Sequence, residues 1–302
     1  MTMPCWICGT IEPQPWKVRS IDRPLMPEDL QITDYRYGVT LALSRCRNCG
    51  FIFAVDGELQ RLTQLYEELS DPGYLESLDS RALQMRWLID RILAANPHSR
   101  TLLDVGAGAG LLVAEAQRRN LAALGVEPSR SLVETGRRVN GVELLQGTFP
   151  HPQLIARTFD VICLIDVIEH VTNPIQMLRD CAEALTPEGL LVVVTPDVGS
   201  ITARLMGTGW WHYRLAHVGY FNNRTIRSAA ATAGLSLRRT FRARWFFRLS
   251  YIAERLTRYV PIGRINSLAA RHRVLRSMYD TVVRINPRDS MVVLLQRSER
   301  TQ

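Results

Sequence analysis

Between Thr101 and Thr195 short β-branched runs alternate with helical segments, the pattern of a parallel sheet flanked by helices. No other feature restricts the chain so strongly, because each parallel pair needs a crossover and both faces of such a sheet must be covered. The spacing predicts strands near 101–105, 122–127, 142–146, 159–165 and 189–195, and helices near 110–119, 130–139 and 175–185. Ligands of such sheets bind beyond the carboxyl ends of the strands, so the residues just after each strand are the first candidates for function. With 302 residues, 46% of them apolar, the chain is long enough for one such domain and a small accessory module.

The first strand runs into Leu102-Leu103-Asp104-Val105-Gly106-Ala107-Gly108-Ala109-Gly110. A dinucleotide fingerprint needs glycine at its first, third and sixth positions, and the sixth residue counted from Gly106 is Leu111. Glycine at every second position instead lets the backbone approach a compact ligand that carries no phosphate, with Asp104 near a positively charged end of it. The second strand ends in Gly125-Val126-Glu127, where a carboxylate can accept hydrogen bonds from both hydroxyls of a ribose.

In order along residues 100–235, the segments LLDVGAGAG, GVEPS, FDVICLIDVIEHVTNP and LTPEGLLVVVTPD resemble the successive motifs of class I S-adenosylmethionine-dependent methyltransferases. The resemblance implies an α/β fold, a Rossmann-like seven-stranded methyltransferase sheet whose final antiparallel strand is expected at Met291–Leu295. It also implies S-adenosylmethionine as cofactor, with Gly106, Gly108 and Gly110 on the methionine part and Glu127 on the ribose. Many relatives place an acidic residue after the third strand to contact the adenine. This chain has Gln146-Gly147-Thr148-Phe149 there, so backbone groups at Thr148 with Phe149 packing nearby are expected instead.

The segment Asp166-Val167-Ile168-Glu169-His170 resembles the acidic-then-His motif of small-molecule enzymes in this class, and Asp166 is counted with both the cofactor and the catalytic candidates. His217 heads an H-x-x-x-F element that relatives place over the acceptor, inside the aromatic-rich stretch Trp210–Phe221. The expected reaction is methyl transfer to a small-molecule, saccharide or lipid-linked acceptor at a hydroxyl. His217 is the first candidate base and His170 the second, with Asp166 or Glu169 orienting the imidazole. For His170 the alternative is to cap or pack the following helix.

Four of the six cysteines form two like pairs, Cys5-Trp-Ile-Cys8-Gly9 and Cys46-Arg-Asn-Cys49-Gly50, separated by 37 residues. Each C-x-x-C-G turn brings two thiolates onto one metal, and two such turns complete a tetrahedral four-sulfur set of the structural zinc type. A disulfide or a redox pair competes with this reading, but neither calls for a matching second copy in a reducing compartment. Val39–Leu43 and Phe51–Phe53 alternate like the strands of a zinc-ribbon hairpin. The expected organisation is a zinc-ribbon-like module over 1–56, a helical linker over 57–98 and the methyltransferase domain over 99–302. Cys163 and Cys181 are expected to be buried bystanders.

The net charge of +8 is concentrated: the segment from Leu235 onward holds 15 Arg against 4 acids, leaving the rest slightly acidic. Apolar residues recur at helical spacing along this segment, so a helical insertion over about 243–288 is expected, broken at Pro261-Ile262-Gly263. It could pack on its own domain, contact a second subunit or rest on anionic lipid. Nucleic acid is not favoured as partner, because residues 1–56 carry six cations and six acids. A cofactor-binding protein without catalysis is a further alternative, disfavoured by the intact glycine loop. No run approaches the roughly 20 apolar residues needed to span a bilayer, and the expected location is the cytoplasm, with peripheral contact at the inner membrane face through the basic helices.

Overall fold

The computed structural model describes residues 3–11, 13–34, 36–256 and 281–298. Strand β1 (Gln14–Lys17) pairs antiparallel with β2 (Leu43–Arg45), and β2 pairs with β3 (Ile52–Ala54) across the second cysteine turn. The hairpin expected around Cys46 and Cys49 is therefore present, its first strand nearer the turn than Val39–Leu43 and its second one residue later than Phe51–Phe53. Helices α1 (Leu62–Glu67) and α2 (Leu78–Ala95) follow, α2 with Leu88, Ile89 and Ile92 on its buried side.

The main domain alternates β4 (Thr101–Val105), α3 (Leu111–Gln117), β5 (Ala122–Glu127), α4 (Arg130–Thr135), β6 (Leu145–Gln146), β7 (Phe159–Ile165), α5 (Pro174–Glu183) and β8 (Leu185–Pro196). The local chemistry explains the starts. Ser129 accepts a hydrogen bond from the Leu132 amide at α4, and Asn173 does the same from Gln176 ahead of Pro174 at α5. The chain continues through α6 (Ile201–Met206), β9 (Gly219–Tyr220), α7 (Asn223–Thr232), β10 (Leu235–Arg242), β11 (Trp245–Arg248), α8 (Leu249–Leu256), β12 (Val282–Ile285) and β13 (Ser290–Arg297).

Seven strands form one sheet in the order β10-β13-β8-β7-β4-β5-β6, with β13 antiparallel to both neighbours and the other pairs parallel. This is the methyltransferase-like α/β sheet expected, including the antiparallel strand over Met291–Leu295. The core runs along both faces of β8. Leu191 and Val193 face one apolar cluster while Leu190, Val192 and Val194 face the other, and all are nearly inaccessible to solvent. Each such side chain stabilises the fold by roughly 1.5–3 kcal/mol through burial.

Two features depart from the simple pattern. The strand β9 joins β3 in antiparallel register, Ile52 opposite Tyr220 and Phe53 opposite Gly219, so the small sheet β1-β2-β3-β9 mixes residues from both ends of the chain. The insertion near the carboxyl end begins as an antiparallel ribbon, β11 with β12, and α8 grows from it. Val282 and Ile285, expected on a helix, lie in that ribbon, Ile285 opposite Trp245 and Val282 opposite Arg248, an extended setting that suits β-branched residues. The expected break at Pro261-Ile262-Gly263 and the apolar face over Ile265–Met278 lie outside the described residues. Among the described residues no helix is long and apolar enough to cross a membrane.

Candidate active site

The carboxyl ends of β4, β5, β6 and β7 open into one cavity of about 890 Å³, with apolar walls interrupted by a few acids, arginines and histidines. On its β4 side Gly106 and Gly108 line the cavity with φ of 71° and 55°, values that disfavour any side chain, while Gly110 (φ 73°) lies outside the lining, packed against Val142 and Leu144. A Cβ at Gly106 would also stand 2.6 Å from Val167 Cγ2. The turn is tied down by amides: Gly106 and Ala107 both donate to the Val126 carbonyl, at 2.8 and 3.0 Å.

Glu127 is buried, and its two oxygens accept from the Gly108 and Ser129 amides at 2.8 and 2.9 Å. Burial raises its carboxyl to about 7 despite those two hydrogen bonds. Asp104, also buried, is pushed up to about 8 by burial and by the neighbouring Glu127. Two carboxyls thus face a low-dielectric cavity and, among the described residues, neither forms a salt bridge, an arrangement that complements a cationic ligand. Thr148 and Phe149 follow β6 and line the same cavity.

Past β7 the backbone turns sharply: Asp166 holds φ 52°, unusual for a residue with a side chain, and its carboxyl lines the cavity. Burial raises that carboxyl even though His212, Arg81 and Arg214 pull it down. Glu169 accepts from the Thr195 hydroxyl at 2.9 Å through Oε2, while its buried Oε1 has no partner among the described residues. Burial and the nearby Asp166 hold this carboxyl well above the usual range.

His170 Nδ1 lies 2.7 Å from both the Ala216 carbonyl and the Tyr66 hydroxyl, and these two contacts fix the ring. Burial lowers this imidazole to about 4. His217 is buried against it, ring centroids 4.8 Å apart, and burial holds it well below the ordinary histidine range. Its Nδ1 has no partner among the described residues. The structure thus brings Asp166, His170 and His217 into the cavity lining, with the buried Glu169 carboxyl outside it but within 4.8 Å of both imidazoles.

Sequence reasoning passed over a third histidine. His212 lines the cavity and its Nε2 lies 3.5 Å from Asp289 Oδ2, the same oxygen that accepts from Trp210 Nε1 at 3.0 Å. Burial acts to raise the Asp289 carboxyl, but the hydrogen bonds from His212 and Trp210 outweigh it and keep the group ionised. His212 stacks parallel to His217, 5.9 Å between centroids, and is close enough to stabilise Asp166 electrostatically. Asp289 stands just ahead of β13, 77 positions along the chain, and no local motif announces the pair.

Outside the cavity, Cys5, Cys8, Cys46 and Cys49 gather with all four sulfurs within 4.8 Å of one another, and 3.5 Å for Cys5 with Cys49 and for Cys8 with Cys46. Tetrahedral coordination with metal–sulfur bonds of about 2.3 Å places sulfurs about 3.8 Å apart, so this donor set fits zinc. The two turns are built alike. Gly9 and Gly50 have φ of 70° and 77°, and each donates its amide to the first cysteine of its pair, Cys5 or Cys46. Cys163 and Cys181 are buried apart from this centre.

Residues 77–240 match the family model described as a methyltransferase domain, more than half of the chain. A ubiquinone biosynthesis O-methyltransferase of Caulobacter sp. (strain K31) is 35% identical over 100 residues, covering 31% of this chain and 40% of the relative. The protein of the same name from Maricaulis maris (strain MCS10) is 30% identical over 150 residues, 45% of this chain and 59% of the relative. The chain thus spans 40% to 59% of the length of these two relatives. Among solved structures, mitomycin 7-O-methyltransferase has the same fold with a TM-score of 0.50 at 17% identity, over 80% of this chain and 60% of that one. The family match holds the glycine loop, Glu127 and the histidine wall, and leaves the cysteine turns and β11–β12 outside it. By that match, the chain belongs to the methyltransferase-domain family.

Proposed function

We propose that the protein transfers the methyl group of S-adenosylmethionine to a hydroxyl of a small-molecule acceptor. The observation that carries this reading is a single cavity lined by two chemically different sets of groups: positive-φ glycines beside two buried carboxyls that form no salt bridge among the described residues, and three histidines. Relatives named O-methyltransferases support the hydroxyl as acceptor.

S-adenosylmethionine supplies an electrophilic methyl on a cationic sulfur. Gly106 and Gly108 admit its methionine part, and Asp104 favours the cation. Glu127 has lone pairs beyond the two used by amides and offers them to the ribose hydroxyls. Thr148 and Phe149 flank the base, and Asp166 closes the pocket beyond β7. The protein's own task is then to align acceptor and methyl and to exclude water.

For the proton of the acceptor hydroxyl, the geometry favours His212 over the two histidines picked out by motif. Asp289 binds its Nε2, which fixes the ring and leaves Nδ1 as the basic nitrogen, and a carboxylate partner stabilises the imidazolium that forms. His170 and His217 lack such a partner and are weakened as bases by burial. They form the wall against which the acceptor packs, with Glu169 behind them. Apolar lining from Leu30, Ile32, Tyr37 and Trp211 supports an acceptor with a large apolar or ring surface, such as a lipid-linked or glycosidic hydroxyl compound. We read the cysteine centre as structural zinc and the compartment as the reducing cytoplasm, where thiols persist as ligands.

The test is incubation of the purified protein with methyl-labelled S-adenosylmethionine and a panel of phenolic, glycosidic and polyprenyl hydroxyl compounds. Label on oxygen in at least one product is expected. Label only on nitrogen or carbon, or none on any acceptor despite cofactor binding, would count against the assignment.

A further inference from the structure

The four-cysteine centre sits at one end of a continuous chain of contacts that finishes on the acceptor wall. The Cys46 amide donates to the Phe51 carbonyl at 2.8 Å, which fixes the strand leaving the second turn. Phe51 packs on Phe53 and on Phe221, ring centroids 5.8 and 4.9 Å away, and Trp6 of the first turn packs on Phe53 at 5.2 Å. Phe51, Phe53 and Phe221 are fully buried. On this hairpin β3 takes up β9, and the Ala54 amide donates to the Val218 carbonyl at 2.8 Å. Val218 in turn donates its own amide to the Glu169 carbonyl at 2.8 Å. The residue just before it is His217, and the one before that is Ala216, whose carbonyl fixes the His170 ring.

The wall that carries His170 and His217 is therefore tied to Glu169 beyond β7, to Val198 beyond β8, whose amide donates to the Phe221 carbonyl at 2.9 Å, and to the metal hairpin. A two-residue strand such as β9 makes too few hydrogen bonds to hold its place alone. By contrast, the bonds that set the glycine loop run from Gly106 to Val126 and from Gly108 and Ser129 to Glu127, none through the cysteine turns.

We propose that the cysteine centre is a positioning device for the acceptor half of the site: an ion held by Cys5, Cys8, Cys46 and Cys49 fixes the segment Ala216–Phe221, and its loss uncouples acceptor binding from cofactor binding. The inference rests on the reading of that wall as the acceptor side. It makes the enzyme's activity, and not only its folding, responsive to zinc supply and thiol oxidation.

The experiment compares the zinc-loaded full chain with protein stripped by chelator under reducing conditions, and with stripped protein given Zn²⁺ alone. Amide hydrogen exchange should show protection lost at Ala54 and Val218–Tyr220 and kept along β4, β5 and β7. Calorimetry should give an affinity for S-adenosylhomocysteine unchanged within about threefold, while KM for the acceptor rises about 10- to 100-fold, the range seen when the support of a metal site is lost. Zn²⁺ should restore both. Cys8→His, which keeps a Cys₃His donor set, should retain the loaded behaviour, whereas Cys8→Ser should resemble the stripped protein. Unchanged protection at Ala54 and Val218 would overturn the proposal, and so would loss of nucleoside affinity together with protection throughout the sheet. These two readouts need no acceptor, so a mistaken assignment of the reaction shows up separately, as absent turnover in loaded protein that exchanges as expected.

Discussion

Glu127 and Asp104 illustrate how a burial cost becomes a binding preference. Both carboxyls are held near neutrality in the cofactor-free cavity, at about 7 and about 8, because burial disfavours their charged forms. A cationic ligand favours the ionised forms, which predominate as pH rises past those values. Affinity for S-adenosylmethionine should therefore increase between pH 6 and pH 8, by about tenfold for each coupled carboxyl that titrates across that interval, with protons released on binding. Calorimetry in buffers of different ionisation enthalpy reads both quantities, and S-adenosylhomocysteine, which lacks the sulfonium, should show a shallower slope. Glu127→Gln should weaken cofactor binding about 10- to 100-fold, the worth of hydrogen bonds to a charged acceptor. His212→Asn should lower kcat about 10²- to 10⁴-fold with cofactor affinity intact, whereas His217→Ala should act mainly on the acceptor KM. Full turnover by the His212→Asn enzyme would remove that histidine from the reaction.

At the scale of elements, the cofactor wall is set by how closely β4, β5 and α3 can approach. Gly125 permits this: a Cβ there would stand 2.6 Å from Leu144 Cδ2 and 2.8 Å from Ala107 Cβ. Gly125→Ala is expected to cost about 1–3 kcal/mol by overpacking, read as a thermal midpoint lowered by several degrees. What could be read from the sequence follows the range over which its signals act. The glycine loop, Glu127 and the cysteine turns are local patterns with strict geometric demands, and the structure places them at one strand end, the next strand end and one sulfur cluster. The pairing of Gly219–Tyr220 with Ile52–Phe53 has no local signature, since two residues in a strand carry no periodicity and the partner is far along the chain. The same holds for His212 with Asp289, whose partnership depends on the last hairpin closing against β8. In the insertion, apolar spacing read as helical is met partly by a ribbon, because Trp245–Arg248 supplies a cross-strand partner that a single-sequence period cannot reveal.

The whole molecule is organised around one sheet with two attachments, a cysteine-turn hairpin at one side of the cavity and the β11–β12 ribbon with α8 at another, Trp245, Phe247 and Tyr251 of the latter reaching the cavity lining. The pocket between the glycine loop and the histidine wall suits a cationic sulfur nucleoside, through close backbone approach and two buried carboxyls. Titration calorimetry of the folded, metal-loaded protein with S-adenosylmethionine and S-adenosylhomocysteine measures whether it binds one. Saturable binding of both at one site per chain is expected, weakened in the Glu127→Gln variant. Absence of binding by either nucleoside, on material whose melting transition is cooperative, would contradict it.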